Sequence, residues 1–152
     1  MKLLFVCMGN ICRSPTAEAV MRALAKREGV ALELDSAGTG GWHAGELPDE
    51  RSRRAAKKRG YDMDHRARQF VTDDFERFDL IVCMDRDNLA NVQRLARGRT
   101  TPVKLLREFE PGVHPPDVPD PYSGLGDDFE HVLDICERAC AGLLAHVRGW
   151  GK

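Results

Sequence analysis

The apolar run Leu3-Leu4-Phe5-Val6 passes without a spacer into Cys7-Met8-Gly9-Asn10-Ile11-Cys12-Arg13-Ser14-Pro15, and this junction constrains the fold more than any other stretch. Cys7 and Arg13 are six steps apart, roughly 20 Å if extended. A thiol and a guanidinium at that spacing meet on one small ligand only if the loop curls back. A curled loop turns its backbone N–H groups inward, and such a nest binds anions. Gly9 and Asn10 are the residues that tolerate the positive φ angles required. The Ser14-Pro15 pair predicts a helix over 15–28, with Ser14 as N-cap and Pro15 at the first helical position. Strand, nest and helix N-terminus together make a phosphate site. The candidate cradle is Met8, Gly9, Asn10, Ile11, Cys12 and Ser14, bracketed by Cys7 and Arg13.

Downstream, strand and helix patterns alternate. Residues 2–7 read as a buried strand, Val30–Leu34 as a second ended by Ser36-Ala37-Gly38, Phe78–Met84 as a third, and Val103–Leu106 as a fourth. Helices are expected over 15–28, with Ala17, Val20, Met21, Leu24 and Ala25 on one face. Others are expected from Pro48 to near Gly60, from Arg86 to Leu95, and over roughly 127–148. The last turns Phe129, Val132, Leu133, Cys136, Cys140, Leu143 and Leu144 inward. Such alternation implies an α/β fold with parallel strands and right-handed crossovers. Ligands of these sheets sit beyond the carboxyl ends of the strands, where the cysteine loop lies.

The 152 residues suit one domain, 1–152, large enough to bury roughly 70% of the unfolded chain's surface. A net charge of −1 gives no global field favouring nucleic acid or a membrane surface, and no apolar run has transmembrane length. Lys2 before an apolar stretch imitates a signal peptide, but that stretch is short and carries the motif itself. Five irregularly spaced cysteines suit a reducing cytoplasm better than a disulfide scaffold.

A phosphate monoester over Cys7 would have its oxygens held by loop N–H groups and by the two-pronged donor fork of Arg13. A thiol beside a cation and a helix N-terminus ionises readily, and the thiolate is the nucleophile. In-line attack would give a phosphocysteine and divide one hard hydrolysis into two displacements. No metal or cofactor is required, because the loop and Arg13 supply the positive field. The leaving oxygen needs a proton, and the Pro-rich loop offers Asp117 and Asp120 in Asp117-Val118-Pro119-Asp120-Pro121-Tyr122. The prolines flanking Asp120 stiffen its backbone and make it the preferred acid, with Asp117 the alternative.

Cys7 to Pro15, followed much later by Asp120-Pro121-Tyr122, resembles the low-molecular-weight protein tyrosine phosphatases, and the bacterial type in particular. Asp35-Ser36-Ala37-Gly38, Trp42, His65-Arg66-Ala67-Arg68-Gln69 and Cys83-Met84-Asp85 with Asn88 follow in the family's order. The resemblance implies a three-layer sandwich of flavodoxin-like, phosphotyrosine phosphatase I type, with a four-stranded parallel sheet of order 2-1-3-4 and helices on both faces. It implies hydrolysis of phosphotyrosine in proteins and of small aryl phosphates, with Cys7 as nucleophile, Arg13 as clamp and Asp120 as acid, then base. Ser14 would hydrogen-bond the sulfur; Asn10, with Ser36 and His65 behind it, would hold the loop's strained shape. Ile11, Trp42 and Tyr122 would line the crevice for the substrate ring. Phosphate and vanadate would be inhibitory anions, and the protein a cytoplasmic monomer. Met8 stands where the family often has leucine, and Ser123 where many animal members carry a second tyrosine. Family members with a neighbouring cysteine suggest a protective Cys7–Cys12 disulfide.

Plainer roles compete at several positions. Trp42 also suits packing under a Gly-rich loop, His65 a structural histidine, and Cys136 with Cys140 simple core packing. The basic run Arg51, Arg53, Arg54, Lys57, Lys58 and Arg59 reads as a solvated helix face, or more weakly as a steering patch for acidic phosphoproteins. Three other functions are weighed. A thioredoxin-coupled arsenate reductase would need another cysteine shortly after Cys83, and 85–99 has none. A protein arginine phosphatase would carry threonine where Ile11 stands. A non-catalytic phosphate module would lack Cys7 or Asp120.

Overall fold

The computed structural model describes residues 1–122 and 126–150; Ser123, the site of the departure from animal members, lies outside the described residues. Strands β1 (Lys2–Cys7), β2 (Glu33–Gly38), β3 (Leu80–Cys83) and β4 (Val103–Leu105) form one sheet in the order β2-β1-β3-β4, with every pairing parallel. This is the expected 2-1-3-4 sheet. Leu3 to Val6 and Leu80 to Cys83 are buried on both faces, as near-continuous apolar strands of parallel sheets are. Side chains alternate across it. Leu3, Phe5, Leu80 and Val82 meet helices α1 (Arg13–Glu28), α2 (Glu50–Lys58) and α5 (Gly126–Arg148) on one face. Leu4, Val6, Ile81 and Cys83 meet Phe75 of α3 (Asp74–Arg77) and Val92 of α4 (Arg86–Ala96) on the other. Helices on both faces complete three layers.

Several boundaries differ from expectation for physical reasons. α1 begins at Arg13, capped by the backbone of Cys12 with no side-chain cap, so Ser14 is inside the first turn and not its N-cap. Its hydroxyl is thereby free to face Cys7. Pro15 becomes the third helical residue, still within the turn whose N–H groups have no helical acceptor. β2 starts three residues later than the apolar alternation suggests, because the register runs from Lys2↔Glu33 to Cys7↔Gly38. Small residues Ser36, Ala37 and Gly38 thus lie beside the buried end of β1, while Val30, Leu32 and Leu34 pack as partly buried neighbours of the core. Asp49, not Pro48, opens α2, its side chain accepting from the Arg51 N–H at 2.8 Å. β3 is limited to Leu80–Cys83, and Leu106 leaves β4 to begin a 3-10 helix (Leu106–Phe109) that sequence periodicity did not signal.

The basic run is not wholly a solvated face. Arg59 reaches Glu130, Asp134 and Glu137 of α5 at 2.6, 2.9 and 2.6 Å, and Tyr61 donates to Glu137 at 2.6 Å. These contacts pin the end of α2 to α5. Cys136 and Cys140 are fully buried in the core, and burial pushes the Cys136 thiol up to about 12.

The tightest packing lies where α5 crosses the 3-10 helix. A Cβ at Gly142 would sit 1.9 Å from the Phe109 carbonyl oxygen. Alanine for glycine within a helix ordinarily stabilises by up to about 1 kcal/mol; here the overlap decides the sign. Gly142→Ala is expected to destabilise by about 1–3 kcal/mol or more, read as a lower urea midpoint at similar slope. Gly149→Ala, whose Cβ would meet the His146 oxygen at an ordinary 3.6 Å, should shift the midpoint far less.

Candidate active site

The loop between β1 and α1 closes over the carboxyl end of the sheet. Cys7 is buried there, and its Sγ accepts the Asn10 N–H at 3.2 Å and lies 2.9 Å from Ser14 Oγ. The curl is made at Asn10, a non-glycine residue at φ 59°. Its amide, 1% exposed, uses both ends: Nδ2 donates to Ser14 Oγ (2.8 Å) and Ser36 Oγ (3.0 Å). Oδ1 accepts from the Arg68 N–H and from His65 Nε2, each at 3.0 Å. Because a carbonyl oxygen only accepts, the proton belongs on His65 Nε2. Nδ1 of that ring faces Asp35 at 3.4 Å and Glu18 at 3.7 Å.

Hydroxyl directions follow from the partners. Ser14 Oγ accepts from Asn10 and lies within hydrogen-bond distance of the Cys7 sulfur, to which its single hydrogen points when that sulfur is a thiolate. Ser36 Oγ likewise accepts from Asn10 and donates to the buried Glu18 at 2.6 Å. Ser14, Ser36 and His65 thus converge on one amide. Gly38 allows the fit, since a Cβ there would lie 2.6 Å from the Met8 carbonyl oxygen.

Arg13 emerges from the first turn of α1 and is 4% exposed. Its Nη1 donates to Asp85 Oδ2 at 2.6 Å and to the Val118 carbonyl at 3.1 Å, and its Nη2 lies 3.7 Å from Asp120 Oδ2. Burial works against the Arg13 charge, but the facing Cys7 sulfur and Asp85 outweigh it and raise the pKa. Asp85 received no role from sequence reasoning. Its signal is the capping box with Asn88, Asn88 N–H to Asp85 Oδ1 at 2.7 Å, which aims one carboxylate oxygen at the start of α4 and the other at Arg13.

The two candidate acids part clearly. Asp117 is held by Arg86 at both oxygens: the N–H at 2.9 Å, Nε at 3.2 Å and Nη2 at 3.1 Å. The Arg86 guanidinium keeps that carboxyl below the usual range, and Asp117 does not line the cavity. Asp120 does. Its Oδ1 accepts the Tyr122 N–H at 3.0 Å, leaving Oδ2 toward Arg13 and the cavity. The loop carrying it is braced by Arg107, which pairs with Glu110 at 2.7 Å and donates to the Asp117 carbonyl at 3.1 Å.

These groups enclose about 110 Å³, with Cys7, Cys12 and Arg13 at the floor and Ile11, Trp42, His43 and Tyr122 as walls. Met8 and Gly9 complete the loop side. Trp42 is 71% exposed, so it stands at the rim and is not packed beneath a loop. His43 escaped the sequence reading; it tilts toward Tyr122 and bonds Glu46 at 2.9 Å. Arg51, part of the basic run, donates to the Tyr122 carbonyl at 2.6 Å and fixes that wall. Cys7 and Cys12 are free thiols. Burial pushes Cys12 up to about 12 despite the Ser52 hydrogen bond, aided by the negative charges of Asp49, Cys7 and Asp120. Cys83 is likewise raised by burial, then by Asp85. Among the described residues Glu18, Asp35 and His65 bring ligand-type atoms together, but the close contacts there are a histidine between two carboxylates and a serine donor.

Comparison with known proteins gives a consistent picture. The family model described as low molecular weight phosphotyrosine protein phosphatase matches residues 2–150. A low molecular weight protein-tyrosine-phosphatase of Streptomyces coelicolor is 48% identical over 153 residues, spanning 97% of this chain and 93% of the relative. A protein tyrosine phosphatase of Entamoeba histolytica, crystallised with Hepes in its active site, superposes with a TM-score of 0.93 at 39% identity, covering 97% of each chain. A Drosophila arginine phosphatase superposes with a TM-score of 0.92 at 31% identity, over 99% of each chain.

The thiol environments predict selective chemistry. Iodoacetate, itself an anion, should carboxymethylate Cys7 at neutral pH and leave Cys12, Cys83, Cys136 and Cys140 unmodified, because burial holds those four protonated. Peptide mapping checks this, and inorganic phosphate should slow the labelling; equal labelling of Cys12 would contradict the ordering.

Proposed function

Because the chain belongs to the low molecular weight phosphotyrosine protein phosphatase family, it is a phosphoric monoester hydrolase acting on phosphotyrosine in protein substrates, and we propose that it works through a phosphocysteine at Cys7. The observation that carries this reading is the Cys7 sulfur itself. It lies on a cavity floor at the focus of the Asn10 N–H and the Ser14 hydroxyl, with Asp120 Oδ2 across the same cavity near Arg13.

In the first step the Cys7 thiolate attacks phosphorus in line and the bond to the tyrosyl oxygen breaks. The loop N–H groups and Arg13 receive the equatorial oxygens, where charge gathers in the transition state. Asp85 and the Val118 carbonyl hold Arg13 so that its remaining donors face the cavity. Asp120 gives its proton to the tyrosyl oxygen as that bond breaks. In the second step Asp120, now a carboxylate, takes a proton from water as the water attacks phosphorus. The sulfur leaves as a thiolate, and the Ser14 hydroxyl donates to it as its charge returns. Loop dipoles and Arg13 supply the positive field, so activity should survive chelation by EDTA. Phosphate and vanadate, which carry the oxygens of the ground and transition states, should compete for the loop.

Ile11, Trp42 and Tyr122 give the cavity an aromatic and aliphatic wall suited to an aryl ring. This favours phosphotyrosine over the phosphoguanidino group taken by the arginine phosphatase among the structural neighbours. The whole chain acts as one phosphatase domain. No helix of the described residues is long and apolar enough to cross a membrane; the five free, buried cysteines suit a reducing cytoplasm.

Two substitutions test the assignments. Cys7→Ser should abolish hydrolysis of a phosphotyrosyl peptide while vanadate still binds, and retained turnover would remove Cys7 from the nucleophile's role. Asp120→Ala should slow phenyl phosphate, a poor leaving group, by roughly 10²–10⁴-fold and a nitrophenyl ester far less. Asp117→Ala should not show that leaving-group dependence; if it does and Asp120→Ala does not, the acid is misassigned.

A further inference from the structure

Trp42 and Met8 wall two spaces. One is the catalytic cavity; the other is an open groove of about 630 Å³ running from the same ridge along α4 to Arg94 and Leu95. Nothing in the hydrolysis of a phosphoryl group uses that groove. Three of its residues, Met8, Trp42 and Leu95, are among the chain's exposed large apolar side chains, at 47, 71 and 38%. An exposed apolar strip beside a binding site marks a surface for a partner. The ridge is built. A Cβ on Gly40 would fall 1.9 Å from the Trp42 ring, so the indole rests directly on the glycine backbone. Beside it Gln69 donates from Nε2 to the Thr39 carbonyl at 3.2 Å and braces the Thr39–Gly41 segment that carries the ridge.

Arg94 gives the groove its sign. It is exposed, it forms no ion pair among the described residues, and no acidic residue lines the groove. This contrasts with the cations beside the catalytic cleft, where Arg13, Arg51 and Arg86 are each paired with an aspartate.

On the reading of Cys7 as the nucleophile of a phosphotyrosine hydrolase, we propose that this groove takes the substrate chain flanking the phosphotyrosine, with an acidic side chain of that chain on Arg94. Continuity supports the occupant: a peptide whose aryl ring lies against Trp42 must leave the cavity over one of its walls, and the Met8–Trp42 ridge leads into the groove. Spacing sets the register. Arg94 lies just over two turns past Arg86, the first residue of α4 and the neighbour of the Asp85 that holds Arg13 at the cavity floor, or about 12 Å along the helix. Extended peptide covers about 3.3 Å per residue, and the arginine side chain adds reach. The acidic residue therefore falls two to four residues from the phosphotyrosine. Apolar neighbours on the peptide would cover Leu95 and Trp42.

The test uses phosphotyrosyl peptides carrying Glu, Ala or Lys at each position two to four residues to either side. For the unmodified chain, Arg94→Ala and Arg94→Glu, kcat/KM for each peptide is divided by that for phenyl phosphate, which is too small to reach the groove. At low salt the unmodified chain should prefer Glu over Lys by roughly three- to fivefold at one of these positions, the scale of an exposed ion pair. Arg94→Ala should level the preference, Arg94→Glu should reverse it, and raised salt should weaken it. No preference in the unmodified chain, or the same preference in Arg94→Glu, overturns the proposal. Binding of the same peptides to Cys7→Ser, read by fluorescence anisotropy, reports the groove without turnover. Failure of the nucleophile reading would appear as phenyl phosphate hydrolysis by Cys7→Ser; failure of the groove would appear as charge-blind binding.

Discussion

One buried amide holds the phosphate loop in its shape. Asn10 stands in the left-handed region, which costs a residue with a Cβ about 1–2 kcal/mol. Its side chain makes four hydrogen bonds, to Ser14, Ser36, Arg68 and His65, each contributing about 1 kcal/mol net. The bonds outweigh the strain, and they tie the loop to α1, to the end of β2 and to the segment beyond α2. A glycine at this position would adopt the same backbone angles with ease but would remove the donor that Ser14 and Ser36 accept from and the acceptor that His65 and the Arg68 N–H donate to. The same amide therefore shapes the nest and orients the hydroxyl that faces the sulfur.

Arg13 joins that loop to the acid loop. One of its nitrogens is shared between the Asp85 carboxylate and the Val118 carbonyl, and the other approaches Asp120. A buried guanidinium without a counter-charge would be costly, on the order of several kcal/mol. Asp85 meets that need from the carboxyl end of β3, in the same capping box that starts α4. Arg13, the loop carrying Asp120 and the start of α4 are thus set by one ion pair, and the proposed relation between nucleophile and acid does not depend on loop stiffness alone.

The sequence made the phosphate loop legible because strand, glycine, asparagine and proline all act locally. The parallel sheet was legible for a similar reason, since the apolar runs of β1 and β3 need two covered faces. What escaped depends on distant partners. The apolar alternation of 30–34 reached only the first two residues of β2, because pairing with β1 decides which residues form the ladder, and small Ser36-Ala37-Gly38 fit beside the loop. Ser14 looked like a cap until Cys12 supplied the backbone instead. Asp117 and Asp120 have similar local settings, and the proline argument between them was slight. Arg86, from a different part of the chain, separates them by occupying Asp117. Asp85 and His43 were invisible as site residues for the same reason, and the long-range role of Arg59 was hidden within a run of like charges.

On the proposed mechanism, charge placement at the sulfur explains why dipoles would do most of the holding. A phosphate monoester would bring negative charge toward a site that must already hold a thiolate, with Asp85 and Asp120 close by. A cluster of lysines could neutralise that charge, but would order poorly around a small anion and carry counter-ions of its own. Backbone N–H groups fixed in a nest, with one hydroxyl aimed at the sulfur, favour negative charge without adding a full positive charge that would need burial and pairing. Only one full cation is then needed, and Arg13 is the type that meets two oxygens at once. Its pairing with Asp85 leaves it fixed and partly neutralised, so it can favour the transition state, where charge spreads across the equatorial oxygens, without holding the product phosphate too tightly to leave.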